Sequence, residues 1–177
     1  MKTGMALLCW LAAAGTAQAQ EIPNRLIDYP GFAAQVSKVG RARSQHRVTE
    51  EEFIRMAREP GTVVLDARSA EKYAQLHVKG ARNLSLPDFT AEELAKIVPD
   101  KATRVLIYCN NNFINAPGAF PSKTVTASLN IYTFNALHSY GYENVHELGP
   151  LLDIRKTKLA FEGSEIGALP GDNAASL

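Results

Sequence analysis

The chain reads RVLIYCNNN at residues 104–112, and its fold class follows from this stretch. An unbroken apolar and β-branched run, with a charge before it and turn-forming residues after it, is typical of a central parallel strand covered on both faces. In open α/β sheets, ligands bind where the carboxyl ends of such strands run into loops. The stretch therefore predicts a buried strand that places Cys109 at a ligand-binding edge, although free cysteine is also among the most buried residue types.

The N-terminus has the pattern of a secretory signal peptide. Lys2 precedes an apolar run over residues 5–14, and an A-x-A pattern of small residues ends at Ala19. This pattern predicts cleavage after Ala19, and the apolar run is too short to span a bilayer. We therefore expect a protein that is exported to the periplasm and has no membrane span.

The mature chain has an even charge balance and a single thiol. The full chain carries 19 basic and 18 acidic residues, and cleavage after Ala19 would remove only Lys2 among them. An even balance gives no reason to expect nucleic acid or an anionic membrane surface as a partner. Cys109 is the only cysteine left after cleavage, so an internal disulfide is excluded and this thiol is either buried or kept for chemistry.

The sequence predicts neither a metal site nor a cofactor. His46, His138 and His146 do not have the spacing of metal ligands relative to one another or to Cys109. Apolar residues recur at helical spacing over residues 126–140, which indicates a helix face packed in the core rather than a cofactor pocket.

Strands and helices alternate from residue 48 onward. The predicted strands cover residues 62–68, 81–86, 104–109 and 144–148, and the predicted helices cover residues 50–58, a short stretch from 69, 90–98 and 126–140. Thr49 and Glu52 form a capping box at the first of these helices, and Gly141 suits the end of the last one. Alternation of this kind predicts an α/β fold with a parallel sheet and helices on both faces.

The two ends of the mature chain differ from this pattern. Residues 20–47 form a predicted N-terminal extension with a short helix near 32–39 and a basic cluster on a solvated surface; the cluster consists of Arg41, Arg43, His46 and Arg47. A C-terminal extension follows residue 152. We expect residues 153–161 to add a short strand or helix and residues 162–177, rich in Gly, Ala, Ser and Asp, to form a mobile tail.

Three motifs between these extensions resemble the rhodanese domain. Residues 65–73 and 77–84 (LDARSAEKY and HVKGARNL) resemble its first signature, residues 105–109 resemble its active-site strand, and residues 141–148 resemble its closing strand. The resemblance covers residues 48–152 and implies a rhodanese-like five-stranded parallel sheet. It also implies a sulfurtransferase in which Cys109 is the catalytic residue and carries sulfane sulfur as a persulfide. The implied partners are a small sulfur-donor anion and a thiol acceptor, with a periplasmic protein as a further candidate.

The chemistry of Cys109 can also be argued without the family. A thiolate is the reactive form of cysteine, and a helix N-terminus that faces it stabilises its negative charge. Attack on a sulfur donor such as thiosulfate would leave a persulfide on Cys109, which a thiol or cyanide could then accept. Backbone N–H groups around the terminal sulfur would stabilise its charge as an oxyanion hole does.

The segment after Cys109 departs from the family pattern. Ordinary rhodanese domains have a short loop here, commonly closed by an arginine, whereas residues 110–121 form a longer loop and no arginine precedes the helix predicted at residues 126–140, in which Ser128 corresponds to the family's helical serine. Lys123 is the only cation in this segment; it could replace the arginine as a point charge, although it lacks the planar fork that suits oxyanions.

Other polar residues near this edge are candidates for substrate binding. The side-chain amides of Asn110, Asn111 and Asn112 could donate to a bound anion, or these residues could only form the turn that ends the strand. Arg68 ends a neighbouring predicted strand and could line the same edge, or it could pair with Asp66 and fix the turn that follows.

The enlarged loop leaves two functional hypotheses open. It could be a lid that carries Phe113 and Phe120 over the thiol and shapes a substrate pocket, or it could fill that pocket. The first hypothesis is a sulfurtransferase, and the second is a non-catalytic binding or thiol redox-sensing module. Exposure of Cys109 distinguishes them, because a catalytic thiol must be accessible whereas a structural one is buried and inert.

Overall fold

The computed structural model describes residues 22–168 and has a five-stranded parallel sheet at its centre. In spatial order its strands are β1 (Arg47–Val48), β7 (Val145–Leu148), β5 (Val105–Tyr108), β2 (Val63–Asp66) and β4 (Arg82–Asn83). All four pairings are parallel, and β5 lies in the middle of the sheet. The predicted α/β class with a five-stranded parallel sheet is therefore confirmed.

Within the described residues, five α-helices accompany this sheet. They are α1 (Tyr29–Arg43), α2 (Glu50–Ala57), α3 (Ala70–Gln75), α4 (Ala91–Ile97) and α5 (Leu129–Ser139). The predicted capping box is present at α2, where Thr49 and Glu52 exchange hydrogen bonds between side chain and backbone. Gly141 follows α5 with a φ of 83°, a left-handed conformation that glycine adopts without strain.

Strand β5 is buried along its whole length because both faces of the sheet are covered. Val105 and Ile107 pack in one apolar cluster with Phe134 of α5, whereas Leu106 and Tyr108 pack in the other with residues of α2 and the C-terminal segment. Alternation of side chains along the strand sends successive residues to opposite faces. Because β5 is held in place by this burial, the position of Cys109 at its carboxyl end is also fixed.

The N-terminal extension is more structured than its sequence indicates. Helix α1 has fifteen residues, and Asp28 caps it by accepting a hydrogen bond from the Gly31 N–H group at 2.8 Å. The expectation of a solvated basic cluster is wrong for Arg43, which is partly buried and pairs with Glu147 at 2.7 Å; Arg47 also pairs with Glu147, at 3.0 Å, but its side chain stays 51% exposed. The Glu147 side chain is only 1% exposed, and a buried carboxylate requires such partners.

The C-terminal extension also packs against the domain. Strand β8 (Leu152–Asp153) pairs in parallel with β6 (Phe113–Ile114), and β9 (Phe161–Glu162) pairs antiparallel with β3 (His77–Val78). Ile154, Leu159 and Phe161 are buried in the core.

The prediction of a mobile tail is wrong for residues 162–168, which pack against the domain. Glu162 belongs to β9, and the N–H groups of Ser164 and Glu165 donate to carbonyls at the end of α3. The rest of that tail and the predicted signal peptide lie outside the described residues. Within residues 22–168, no helix is both long and apolar enough to cross a membrane.

Candidate functional site

Cys109 leaves the carboxyl end of β5 and enters a short 3-10 turn formed by residues 110–112. It is 1% exposed, and its Sγ atom lies 3.5 Å from the Ser128 Oγ atom. Ser128 is the N-cap residue of α5, yet its hydroxyl group does not cap its own helix. The thiol therefore lies against the N-terminus of α5, where the helix dipole favours negative charge.

Asn112 fixes the backbone around this thiol. Its Oδ1 atom accepts hydrogen bonds from the Cys109 N–H group at 2.9 Å and from Asn130 Nδ2 at 3.1 Å. Its Nδ2 atom donates to the carbonyl oxygens of Leu148 at 2.8 Å and Pro150 at 3.1 Å. One buried amide thus joins the thiol, the first turn of α5 and the end of β7, and its hydrogen-bonding capacity is used within the protein.

Asn111 makes a different connection, to the far side of the enlarged loop. Its Oδ1 atom accepts from the Lys123 N–H group at 2.9 Å, and its Nδ2 atom donates to the Lys123 carbonyl at 2.8 Å. Lys123 itself is exposed, and its ammonium group is not part of this pair. Asn110 is 3% exposed and, within the described chain, its side chain makes no hydrogen bond.

Arg68 is enclosed beside this site rather than open to it. Its guanidinium pairs with Asp66 at 2.5 Å, donates to the carbonyls of Leu76 at 2.7 Å and Ala119 at 2.9 Å, and lies 4.1 Å from the centre of the Phe120 ring. The Arg68 side chain is 1% exposed. The structure therefore contains the ion pair with Asp66 that the sequence offers as one of two roles for Arg68.

Tyr108, the last residue of β5, completes this buried network. Its hydroxyl donates to Asp66 at 2.6 Å and accepts from the Val78 N–H group at 3.0 Å. Burial raises the pKa of Tyr108 well above its ordinary value, and the neighbouring Asp66 charge acts in the same direction. The phenol is thus neutral and serves as a hydrogen-bond donor.

The phenylalanines of the enlarged loop belong to the core. Phe113 and Phe120 are 1% and 2% exposed, their ring centroids are 4.6 Å apart, and Phe113 packs edge-on against Phe161 at 5.4 Å. Of the two alternatives for the loop, a lid over the thiol or a filled pocket, this packing favours the second, because burial of two large aromatic rings with Phe161 stabilises the folded state more than exposure would. Exposed residues of the loop are found at 114–115 and 117–118, and the segment that follows it, residues 122–127, is exposed throughout.

Asn130 is the site residue that the sequence analysis missed. It is 4% exposed and holds Asn112, which in turn holds Cys109. A polar residue two positions after Ser128, on a helix that is otherwise mostly apolar, is the signal that could have found it. Among residues 22–168, no group of histidine, cysteine and acidic side chains is arranged to hold a metal ion.

Comparison with known proteins identifies a family for this arrangement. The family model described as the rhodanese-like domain matches residues 49–148. Thiosulfate sulfurtransferase PspE of Escherichia coli strain K12 is 32% identical over 95 residues, which are 54% of this chain and 76% of that protein.

Two solved structures are also similar to this chain. A rhodanese with anions from E. coli is 28% identical, with a TM-score of 0.40 over 58% of this chain and 98% of that chain. The solution structure of a rhodanese-like domain from an Anabaena protein is 19% identical, with a TM-score of 0.50 over 75% of this chain and 89% of that domain. At 19% identity, the similarity to the Anabaena domain shows a shared fold only.

Proposed function

This chain belongs to the rhodanese-like domain family, and from that premise we propose that it moves sulfane sulfur through a persulfide on Cys109. The family match and the similarity to a thiosulfate sulfurtransferase support a sulfurtransferase-like function. The observation that carries the proposal is the position of Cys109. It directly follows β5 within the matched segment, and its Sγ atom lies against the N-cap hydroxyl of α5.

The proposed reaction has two steps. The Cys109 thiolate attacks the outer sulfur of thiosulfate, an S–S bond forms on Cys109, and the S–S bond of thiosulfate breaks so that sulfite leaves with the electron pair. A thiol or cyanide then attacks the terminal sulfur of the persulfide, and Cys109 leaves as a thiolate. The N-terminus of α5 would stabilise the negative charge that is present on sulfur in both steps.

Two of the predicted substrate-binding residues are free to act on a donor anion in this proposal. Lys123 carries an exposed ammonium group on the loop that Asn111 ties to the thiol turn, and Asn110 has an uncommitted amide next to Cys109. Asn111, Asn112 and Arg68 would act indirectly, because each already bonds to protein groups. The predicted signal peptide supports a periplasmic location, where small anions and thiols would be the partners.

A second candidate function is a binding or thiol redox-sensing module. The 1% exposure of Cys109 favours it, and so does the absence of an arginine from residues 110–128. In that case Cys109 would serve as a ligand contact or as a thiol that is reversibly oxidised.

Intact mass after incubation with a sulfur donor separates the two functions. The mature protein and its Cys109→Ser variant are incubated with thiosulfate or with a low-molecular-weight persulfide, and cyanide or a thiol is then added. We expect a gain of one sulfur atom that requires Cys109 and is lost on addition of the acceptor. No gain from either donor would overturn the sulfurtransferase and leave the binding or redox module.

A further inference from the structure

The enclosure of Cys109 raises the question of how a donor reaches it. We propose that residues 121–127 close the entrance to the thiol and that Asn111 is the positioning residue that holds them closed. This inference rests on the proposed function, because it explains how a buried thiol of this family becomes accessible. It assigns to Asn111 control of access, a role different from the direct anion contact that the sequence suggests.

Two contacts connect the segment to the thiol site. At one end, the Lys123 backbone is bonded to Asn111, which lies in the turn that begins at Cys109. At the other end, Ser128 directly follows the segment and places its hydroxyl 3.5 Å from the Cys109 sulfur. The segment is therefore bound to the thiol turn at Lys123 and ends next to the residue that contacts the Cys109 sulfur, while Cys109 is 1% exposed.

The segment itself contributes little to the core. It lies between Phe120, which is buried against Arg68, and the start of α5, but none of residues 121–127 is buried. Val125 is 78% exposed, and the internal hydrogen bonds are those of a single 3-10 turn, such as that from Ala127 N–H to Thr124 O. Segments with few buried apolar contacts open locally at low free-energy cost.

Asn111 supplies the pair of hydrogen bonds that opposes this opening. Its amide bonds to both the N–H and the C=O group of Lys123, as a neighbouring strand would. Because Asn111 is only half-buried, water can replace both bonds once the segment moves. Release of this pair would free the segment while Asn112 still holds Cys109 in place through its own separate bonds.

The rate at which neutral iodoacetamide alkylates Cys109 in the folded protein tests this role. When opening and closing are fast, the rate follows the population of the open form. We expect Asn111→Ala to be alkylated about tenfold faster than the wild type, which corresponds to about 1.4 kcal/mol. Asn144→Ala is the matched control. Asn144 is also half-buried and makes two side-chain hydrogen bonds, but it lies before β7, at the opposite edge of the sheet, and its rate should not change.

Equal alkylation rates for Asn111→Ala and the wild type would overturn the inference, as would an equal rise in Asn144→Ala. Circular dichroism establishes that the variants are folded. If Asn111→Ala does not fold, Asn111→Leu provides the same comparison, since leucine is similar in size, carries no charge and can form neither hydrogen bond to Lys123. The proposed function is tested independently of this inference: it is overturned if the wild type gains no sulfur in the mass experiment, whatever the alkylation rates are.

Discussion

At the scale of single residues, the edge of the sheet is organised by side chains whose hydrogen bonds are made within the protein. Asp66 accepts from Arg68 and from the Tyr108 hydroxyl, and all three residues are at most 2% exposed. Buried charges are tolerated when they are paired and hydrogen-bonded. This network makes Arg68 a support for β2 and β5, at the edge where the thiol leaves the sheet.

Removal of Arg68 tests this supporting role. Arg68→Ala would leave the Asp66 carboxylate buried without its counter-charge, and we expect it to lower the free energy of unfolding by about 3–5 kcal/mol. The double variant Asp66→Leu/Arg68→Met removes both charges and should recover part of that loss. Urea denaturation measures both changes, and a stability of Arg68→Ala within about 0.5 kcal/mol of the wild type would contradict a buried pair.

At the scale of elements, helix α1 and the turn after it dock on α5 and β7 through histidines. The Nδ1–H group of His46 donates to the Val145 carbonyl at 2.7 Å, and its ring stacks on His146 with centroids 4.8 Å apart. His138 of α5 stacks on Phe134, which also meets the His46 ring edge-on. This cluster cannot be predicted from the sequence, because stacked rings of distant residues show no characteristic spacing along the chain.

These histidines predict that acid weakens the fold. Burial lowers the pKa of both His138 and His146, and electrostatic repulsion between each of them and His46 lowers both further. The folded state then binds fewer protons than the unfolded chain, so the stability is complete above the unfolded pKa of about 6.5 and is lost as the pH falls through the lower folded pKa values.

The pH dependence of urea unfolding checks this sign. Between about pH 7.5 and about pH 5.5 we expect the wild-type midpoint to fall more than that of His138→Gln/His146→Gln, because glutamine does not titrate. The carboxylates and the neighbouring charges of Lys38 and Glu143 are present in both proteins, so their contribution to the pH dependence cancels in the comparison. Parallel pH profiles for the two proteins would show that the histidines do not link α1 docking to pH.

At the scale of the whole molecule, the enlarged loop and the C-terminal extension form one structural unit. Strands β6 and β8 pair with each other, and Phe113, Phe120 and Phe161 pack together. The loop after Cys109 and the extension after β7 are thus joined in the same apolar cluster, which also receives Tyr108 from the central strand. A change at residue 161 therefore reaches the loop that follows the thiol.

Truncation of Phe161 measures this coupling. We expect Phe161→Ala to lower the free energy of unfolding by about 3–5 kcal/mol, as for other buried aromatic residues. The loss in Phe120→Ala/Phe161→Ala should be smaller than the sum of the two single losses, because the two rings share a cluster. Strict additivity would show that the loop and the extension are stabilised independently.

The sequence alone was sufficient for the parallel sheet, the capping box of α2, the C-terminal glycine of α5 and the place of Cys109 at the end of β5. Each of these depends on hydrophobic periodicity or on hydrogen bonds between residues a few positions apart, so the pattern is readable locally. The family resemblance extended the prediction to five strands.

Only the tertiary structure decided that Cys109 is enclosed, that Phe113 and Phe120 face the core, and that Asn111 binds Lys123. It also decided that Glu147 forms ion pairs with Arg43 and Arg47 of the N-terminal extension. These are contacts between distant segments, and their partners are chosen by which apolar surfaces and unpaired polar groups meet when the chain closes. Local patterns do not contain that choice, because an asparagine in a turn or a phenylalanine in a loop is equally compatible with several partners until the rest of the chain is packed.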